Sequence, residues 1–214
     1  MIFKNREEAA ELLSKKLGRY KNQNAVVFAI PRGAILMGRK IAKDLDADFE
    51  ILFVHKLGSP NNSELAMGAI GESGEIYGLE GQSALNKKFL KEEAARQLQN
   101  LKNKKREYSL FNSKPVKRLE QATAILIDDG MATGATVEAG LFEIKKRKPK
   151  KILLAVPVAS RSATQRVQSL VDEIIVLDQP EDFWAVGQFY ENFPEVNDNE
   201  IKNILRKDAH ESLL

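Results

Sequence analysis

The 214-residue chain contains no cysteine, which excludes both a disulfide framework and a thiolate nucleophile. It has only two histidines. His55 stands without a visible partner and reads as structural, and His210, near the C-terminus, carries no functional signal. Long apolar runs are missing as well: the longest, such as 152–158, fall far short of a bilayer span. Residues 1–8 turn acidic and amphipathic at once, with no signal-peptide apolar stretch, so a soluble cytoplasmic protein without a membrane partner is expected. Nor does one sign of charge dominate. With 33 Lys and Arg against 30 Asp and Glu, the net charge is +3, which suits anionic ligands without demanding nucleic acid. What is present is ordinary: 43% hydrophobic and 29% charged residues give a globular chain long enough for one α/β domain with a real core and room for a small lobe.

Positive charge concentrates in 86–108, with Lys87, Lys88, Lys91, Arg96, Lys102, Lys104, Lys105 and Arg106. Phe89, Leu90, Leu98 and Leu101 recur there at roughly helical spacing, which predicts a solvated amphipathic helix. A nucleic-acid groove is the weaker alternative, because no aromatic residue interleaves with the basic face before Tyr108. No nucleic-acid partner is expected.

The rest of the chain alternates between two periods. Residues 5–17 predict a helix, with Ala9, Leu12, Leu13 and Leu17 on one face and Gly18 to end it. Residues 25–30 form a nearly continuous apolar run, as a strand buried on both faces should. A turn at Pro31-Arg32-Gly33 leads into a helix through Ile35, Leu36, Ile41, Ala42 and Leu45, and 49–54 predicts a second buried strand. From 57 to 83 the chain is dense in turn residues (Gly58, Pro60, Asn61, Asn62, Gly68, Gly71, Gly74, Gly78, Gly81), which predicts a flexible loop or hairpin. Strands are then expected at 122–127, 151–158 and 173–177, helices at 133–146 and 161–170, and a C-terminal helix from Asp198 to about His210. Strand–helix alternation predicts a parallel sheet with right-handed crossovers. No repeat or linker divides the chain, so a single domain over 1–214 is expected, with 178–214 as a C-terminal segment and helix.

In such sheets ligands bind beyond the carboxyl ends of the strands. One strand end stands out: Ile125-Leu126-Ile127-Asp128-Asp129-Gly130-Met131-Ala132-Thr133-Gly134-Ala135-Thr136. Apolar residues stop at a carboxylate pair, and a loop of small residues enters a helix. Small residues let backbone N–H groups converge on an anion, the helix N-terminus adds partial positive charge, and Thr133 and Thr136 supply hydroxyls that can also cap the helix. A phosphate on the loop and two adjacent hydroxyls on the acids describe a ribose 5-phosphate. The alternative is a plain strand–turn–helix corner in which the acids only cap. No Gly-x-x-x-x-Gly-Lys run is present, and Gly68, Gly71 and Gly74 lack the spacing of a dinucleotide loop.

This segment resembles the signature of type I phosphoribosyltransferases that binds 5-phosphoribosyl-1-pyrophosphate (PRPP): apolar strand, two acids, three variable residues, Thr-Gly, any residue, Thr. Every fixed position is matched. The resemblance covers most of the chain and is nearest to bacterial phosphoribosyltransferases of unassigned acceptor, which share the Pro-Arg-Gly, His-Lys-Leu-Gly and Val-Gly-Gln-Phe-Tyr-Glu segments found here. It implies a parallel sheet of about five strands flanked by helices, a flexible hairpin over the donor and a small C-terminal hood. Asp128 and Asp129 would serve the ribose hydroxyls as catalytic residues, and Gly130, Met131, Ala132, Thr133, Gly134, Ala135 and Thr136 would hold the 5-phosphate. Pro31, Arg32 and Gly33 would hold pyrophosphate, in a loop where the family often carries a cis peptide, together with Lys56 at the end of the next strand. Mg²⁺ would act through substrate oxygens, and no enzyme nucleophile is needed for an oxocarbenium-like transfer.

The acceptor is less well marked. The 183–191 segment resembles that of 6-oxopurine phosphoribosyltransferases, where an aromatic residue stacks on the base and an acid lies near the metal. Those positions are Trp184 and Glu191, the latter where Asp is usual. The base-reading lysine after the fourth strand has no match, leaving Arg161 as a substitute or as an exposed helix-start residue. The aromatic cluster also fits a plain hydrophobic core. The expected partners are PRPP, pyrophosphate and a nitrogen acceptor, with a homodimer as the candidate assembly. The alternative to the transferase is a PRPP-binding sensor without turnover.

Overall fold

The computed structural model describes residues 1–59, 62–77, 83–109 and 119–211. In chain order its main elements are α1 (Arg6–Leu17), β1 (Ala25–Ala29), α2 (Ala34–Leu45), β2 (Asp48–Ile51), β3 (Val54–Ser59), β4 (Asn62–Gly71) and β5 (Ile76–Tyr77). There follow α3 (Ala84–Ser109), β6 (Thr123–Ile127), α4 (Ala135–Lys146), β7 (Lys151–Val158), α5 (Arg161–Val167), β8 (Glu173–Asp178) and α6 (Asp198–Glu211).

The buried runs become one five-stranded sheet in the order β2-β1-β6-β7-β8, every pair parallel. Successive side chains alternate between its faces, as the pleat requires. Val27, Ala29, Ile125, Ile127 and Leu153 pack with α1 and α2 residues such as Leu13, Leu17, Ile35 and Ile41. Val26, Phe28, Leu126, Leu154 and Val156 pack with Val137, Leu141 and Ile144 of α4 and with Ala163 and Val167 of α5. Both faces are covered, which is why these strands read as continuous apolar runs. The helices start where local chemistry lets them: Asn5 caps α1 by accepting the Glu8 N–H at 3.0 Å.

The expected strand at 49–54 is divided. Only β2 joins the parallel sheet. Leu52 donates its N–H to the Ala29 carbonyl at 3.0 Å, and the chain then turns away into β3. Leu52 and Phe53 stay buried between the two cores, so the apolar run continues although the strand does not. The turn-rich stretch forms an antiparallel sheet in the order β3-β4-β5; its turn positions Pro60, Asn61, Gly78 and Gly81 lie outside the described residues. Helix α3 lies against β3 and β4, burying Leu90, Ala94, Leu101 and Tyr108, while Lys87, Lys88, Lys91, Arg96, Lys102, Lys105 and Arg106 stay exposed. The basic stretch is therefore the solvated face of an amphipathic helix.

Candidate active site

The carboxyl end of β6 carries the acid pair. Asp128 accepts the Asp129 N–H on Oδ1 at 3.0 Å. The small-residue loop that follows is pinned to the end of β7: Met131 donates its N–H to Val158 at 2.9 Å, Ser160 donates its N–H to Met131 at 2.9 Å, and the Ser160 hydroxyl donates to Ala132 at 2.7 Å. Gly134 ends the loop at φ +75° as the N-cap of α4, and no side chain caps that helix. Thr133 and Thr136 are thus not the caps their residue type allows. The Thr133 hydroxyl lies a long 3.5 Å from the Ala135 N–H, so the first-turn amides remain available to an anion.

The C-terminal segment closes on this loop. Val186 sits so near Gly130 that a Cβ there would lie 2.4 Å from its Cγ1. The Tyr190 hydroxyl donates to the Asp129 carbonyl at 2.6 Å. Residues 3 and 190 form a parallel bridge, so the N-terminal and C-terminal segments arrive together.

With them comes a residue that no motif announces. Arg6, on the first turn of α1, is 8% exposed. Its Nε and Nη2 both lie 2.8 Å from Asp129 Oδ2, its Nη1 donates to the Pro194 carbonyl at 2.8 Å, and its guanidinium lies 3.7 Å above the Phe193 ring. Gly33 completes the packing, since a Cβ there would lie 2.1 Å from Asp129 Oδ2 and 2.7 Å from Arg6 Nε. The glycine of the Pro-Arg-Gly turn is therefore required by the acid pair itself. An arginine in the first turn of a chain-terminal helix has no periodic or motif signal, and its partner is 123 positions away.

Electrostatics separates the two acids. Burial, and next the charge of Asp129, hold the Asp128 carboxyl well above the ordinary carboxylate range, with the Asp129 N–H and Arg6 pulling the other way. Burial also raises Asp129, but its main opposition is the Arg6 charge in direct contact. Tyr190 is raised far by burial and by Asp129 and stays a hydroxyl donor. Partial desolvation lowers His55, although the residue is exposed on β3.

The other expected positions are less gathered. The Pro31–Arg32 peptide is cis, and Pro31, Arg32 and Gly33 follow β1 directly. The Arg32 guanidinium pairs with Glu195 of the C-terminal segment. Lys56 lies inside the hairpin, opposite Ala69 in register, and not at the end of a core strand. Trp184 is 88% exposed, so it is not the core residue that its aromatic neighbours allowed; Phe183 and Phe189 pack together instead, with ring centroids 4.8 Å apart. Arg161 opens α5, also exposed, 3.2 Å from Glu181. Glu191 is exposed beside Tyr190, and among the described residues no three His, Asp or Glu side chains converge as a metal site.

A parallel five-stranded sheet of this order, with an acid pair and a loop of small residues at one strand end and a hairpin beyond another, is the type I phosphoribosyltransferase fold. The protein TT1426 from Thermus thermophilus has it: that crystal structure is 34% identical, covers 97% of this chain and 99% of its own, and superposes with a TM-score of 0.81. A Neisseria gonorrhoeae protein solved with bound ppGpp shares the fold at 14% identity and a TM-score of 0.51, covering 97% of this chain and 96% of its own. Two Mycobacterium tuberculosis proteins, from strains CDC 1551 / Oshkosh and H37Rv and provisionally named phosphoribosyl transferases, are 31% identical over 98% of this chain. The chain spans about half the length of these curated relatives, 47%. The phosphoribosyl transferase domain description matches residues 1–194, and the chain belongs to that family. Among the described residues no helix is long and apolar enough to cross a membrane.

Proposed function

We propose that the chain transfers a 5-phosphoribosyl group from PRPP to a nitrogen base, releasing pyrophosphate, with a purine as the first choice of acceptor. The observation that carries this is the acid pair at the end of β6 beside the uncapped start of α4. Loop amides of 130–136, with the Thr133 and Thr136 hydroxyls, would hold the 5-phosphate, and Asp128 and Asp129 would accept the ribose hydroxyls. Pro31, Gly33 and Lys56 would meet pyrophosphate, joined by Arg32 once it exchanges the exposed Glu195 carboxylate for the more highly charged ligand. Trp184, held out in solvent, offers a face on which a planar base can stack.

Burial first, and then the adjacent Asp129 charge, disfavour the ionised Asp128 carboxyl, so two ionised acids here would be a surplus of poorly solvated negative charge. That surplus fits a hard cation arriving on donor oxygens, with Glu191 the acid the resemblance assigns to its shell. Bound Mg²⁺ supplies charge neutralisation for the departing pyrophosphate. The chain's own part is to fix the sugar by its phosphate and hydroxyls and to exclude water from the anomeric carbon.

Calorimetry with Mg²⁺-PRPP and with ribose 5-phosphate, followed by a nucleobase panel read as pyrophosphate release, tests this. Binding of both donor ligands and release with at least one base are expected. Asp128→Asn with Asp129→Asn should cut turnover by about 10² or more. Binding without release for any base would make the chain a PRPP sensor, and no binding at all would overturn the donor assignment.

A further inference from the structure

The contacts of Arg6 suggest more than a tether. Both of its N–H bonds to Asp129 end on one oxygen, Oδ2. The same guanidinium is fixed by the Pro194 carbonyl and by the Phe193 ring beneath it. The main chain of Asp129 is held too, by the Tyr190 hydroxyl on its carbonyl, and Oδ2 sits in the space that a side chain at Gly33 would fill. A carboxylate clamped this way can offer a ligand only its other oxygen, in one direction. Asp128 has no such clamp: the one hydrogen bond described to its carboxylate comes from its neighbour's backbone N–H.

We propose that Arg6 is a positioning residue, which occupies Asp129 Oδ2 so that Oδ1 serves as a fixed acceptor for one ribose hydroxyl and makes the site read that hydroxyl. This rests on the ribose 5-phosphate reading of the acid pair. A carboxylate free to rotate can turn to water when the hydroxyl is missing. A pinned one is left unpaired, and the analogue lacking the hydroxyl is rejected in proportion.

The test compares ribose 5-phosphate with its 2-deoxy and 3-deoxy analogues by calorimetry on the full chain. Asp129→Asn identifies which analogue reports on this acid. The unsubstituted chain should prefer ribose 5-phosphate over that analogue by about tenfold or more, the fold-change of one hydrogen bond to a charged group. Arg6→Ala should shrink the preference to within about threefold, and guanidinium ion added in solution should restore part of it. Arg6→Lys keeps charge and stem but cannot span Asp129 and Pro194 at once, so it should fall between the two. If Arg6→Ala does not fold, the ratio is read on Arg6→Lys alone. A wild-type ratio in either folded variant overturns the proposal and leaves Arg6 a structural tie. Absence of ribose 5-phosphate binding by the unsubstituted chain instead overturns the site reading on which it rests.

Discussion

Asp128 and Asp129 are neighbours in sequence and unlike in chemistry. Asp129 has a guanidinium on one oxygen, whereas Asp128 keeps a carboxylate that burial and its neighbour's charge both disfavour. The consequence for stability has a definite sign. Because the folded-state value of Asp128 lies above the unfolded value of about 3.9, its contribution to stability is fully present below that pH and is lost as pH rises through the folded value. Asp128→Asn removes the cost of the buried charge and preserves an oxygen for the Asp129 N–H. Its Tm at neutral pH should exceed that of the unsubstituted chain, by about 2–4 °C for each kcal/mol regained, and the gap should close in acid below the unfolded value. Scanning calorimetry across that range checks it, and a lower Tm at neutral pH would mean that the charged form makes contacts worth more than its desolvation. The pair was legible from 128–136 alone. That Arg6 divides it was not, because a single arginine in an amphipathic helix looks like any solvated one.

At the scale of elements, α4 joins the small-residue loop of 130–134 to the hairpin. Its first turn faces the loop, and near its last turn Glu143, buried, accepts from the Ser73 hydroxyl at 2.5 Å and the Tyr77 hydroxyl at 2.6 Å. Gly71 leaves no space for a side chain at this point, since a Cβ would lie 2.2 Å from Glu143 Oε1. Lys146 adds ion pairs to Glu75 and Glu143, and Tyr77 stacks on Phe142 with centroids 5.0 Å apart. Burial and the Glu143 bond push the Tyr77 hydroxyl up to about 12, so it remains a donor. Glu143→Ala would strand two hydroxyls and should cost about 2–4 kcal/mol, with faster hydrogen exchange in 67–77. Glu143→Gln, which keeps an acceptor, should cost less than half of that. A neutral Glu143→Ala in denaturant unfolding would show that apolar packing alone holds the hairpin. The hairpin was legible from its turn residues, but the division of 49–54 was not: a run that is buried throughout looks the same whether it stays in one sheet or passes between two.

For the whole molecule, the candidate site lies where residues 3–6 and 189–195 meet the sheet. The 3–190 bridge, the Arg6 contacts at 193–194 and the Arg32–Glu195 pair tie residues 189–195 to the strand ends. A ligand bound between them should stabilise all three parts together. Ribose 5-phosphate at about one hundred times its Kd should add ~2.7 kcal/mol, a Tm rise of about 5–11 °C in a chain of this size. Thermal denaturation with and without the ligand measures it. No rise at saturation would contradict binding to the folded state at this site.

By itself the sequence determined the features carried by contiguous residues. Strand burial, the helix faces, the acid pair and its loop of small residues each repeat or cluster within one element, where local geometry fixes what the side chains can do. The partners of the buried charges were decided only by the tertiary structure. Arg6 meets Asp129 across 123 positions, and Tyr190 meets the same residue across 61. A desolvated charge takes whichever counter-charge the packed layers bring beside it, and which one arrives depends on how helices and sheet close on each other, for which no local period in the chain carries a signal.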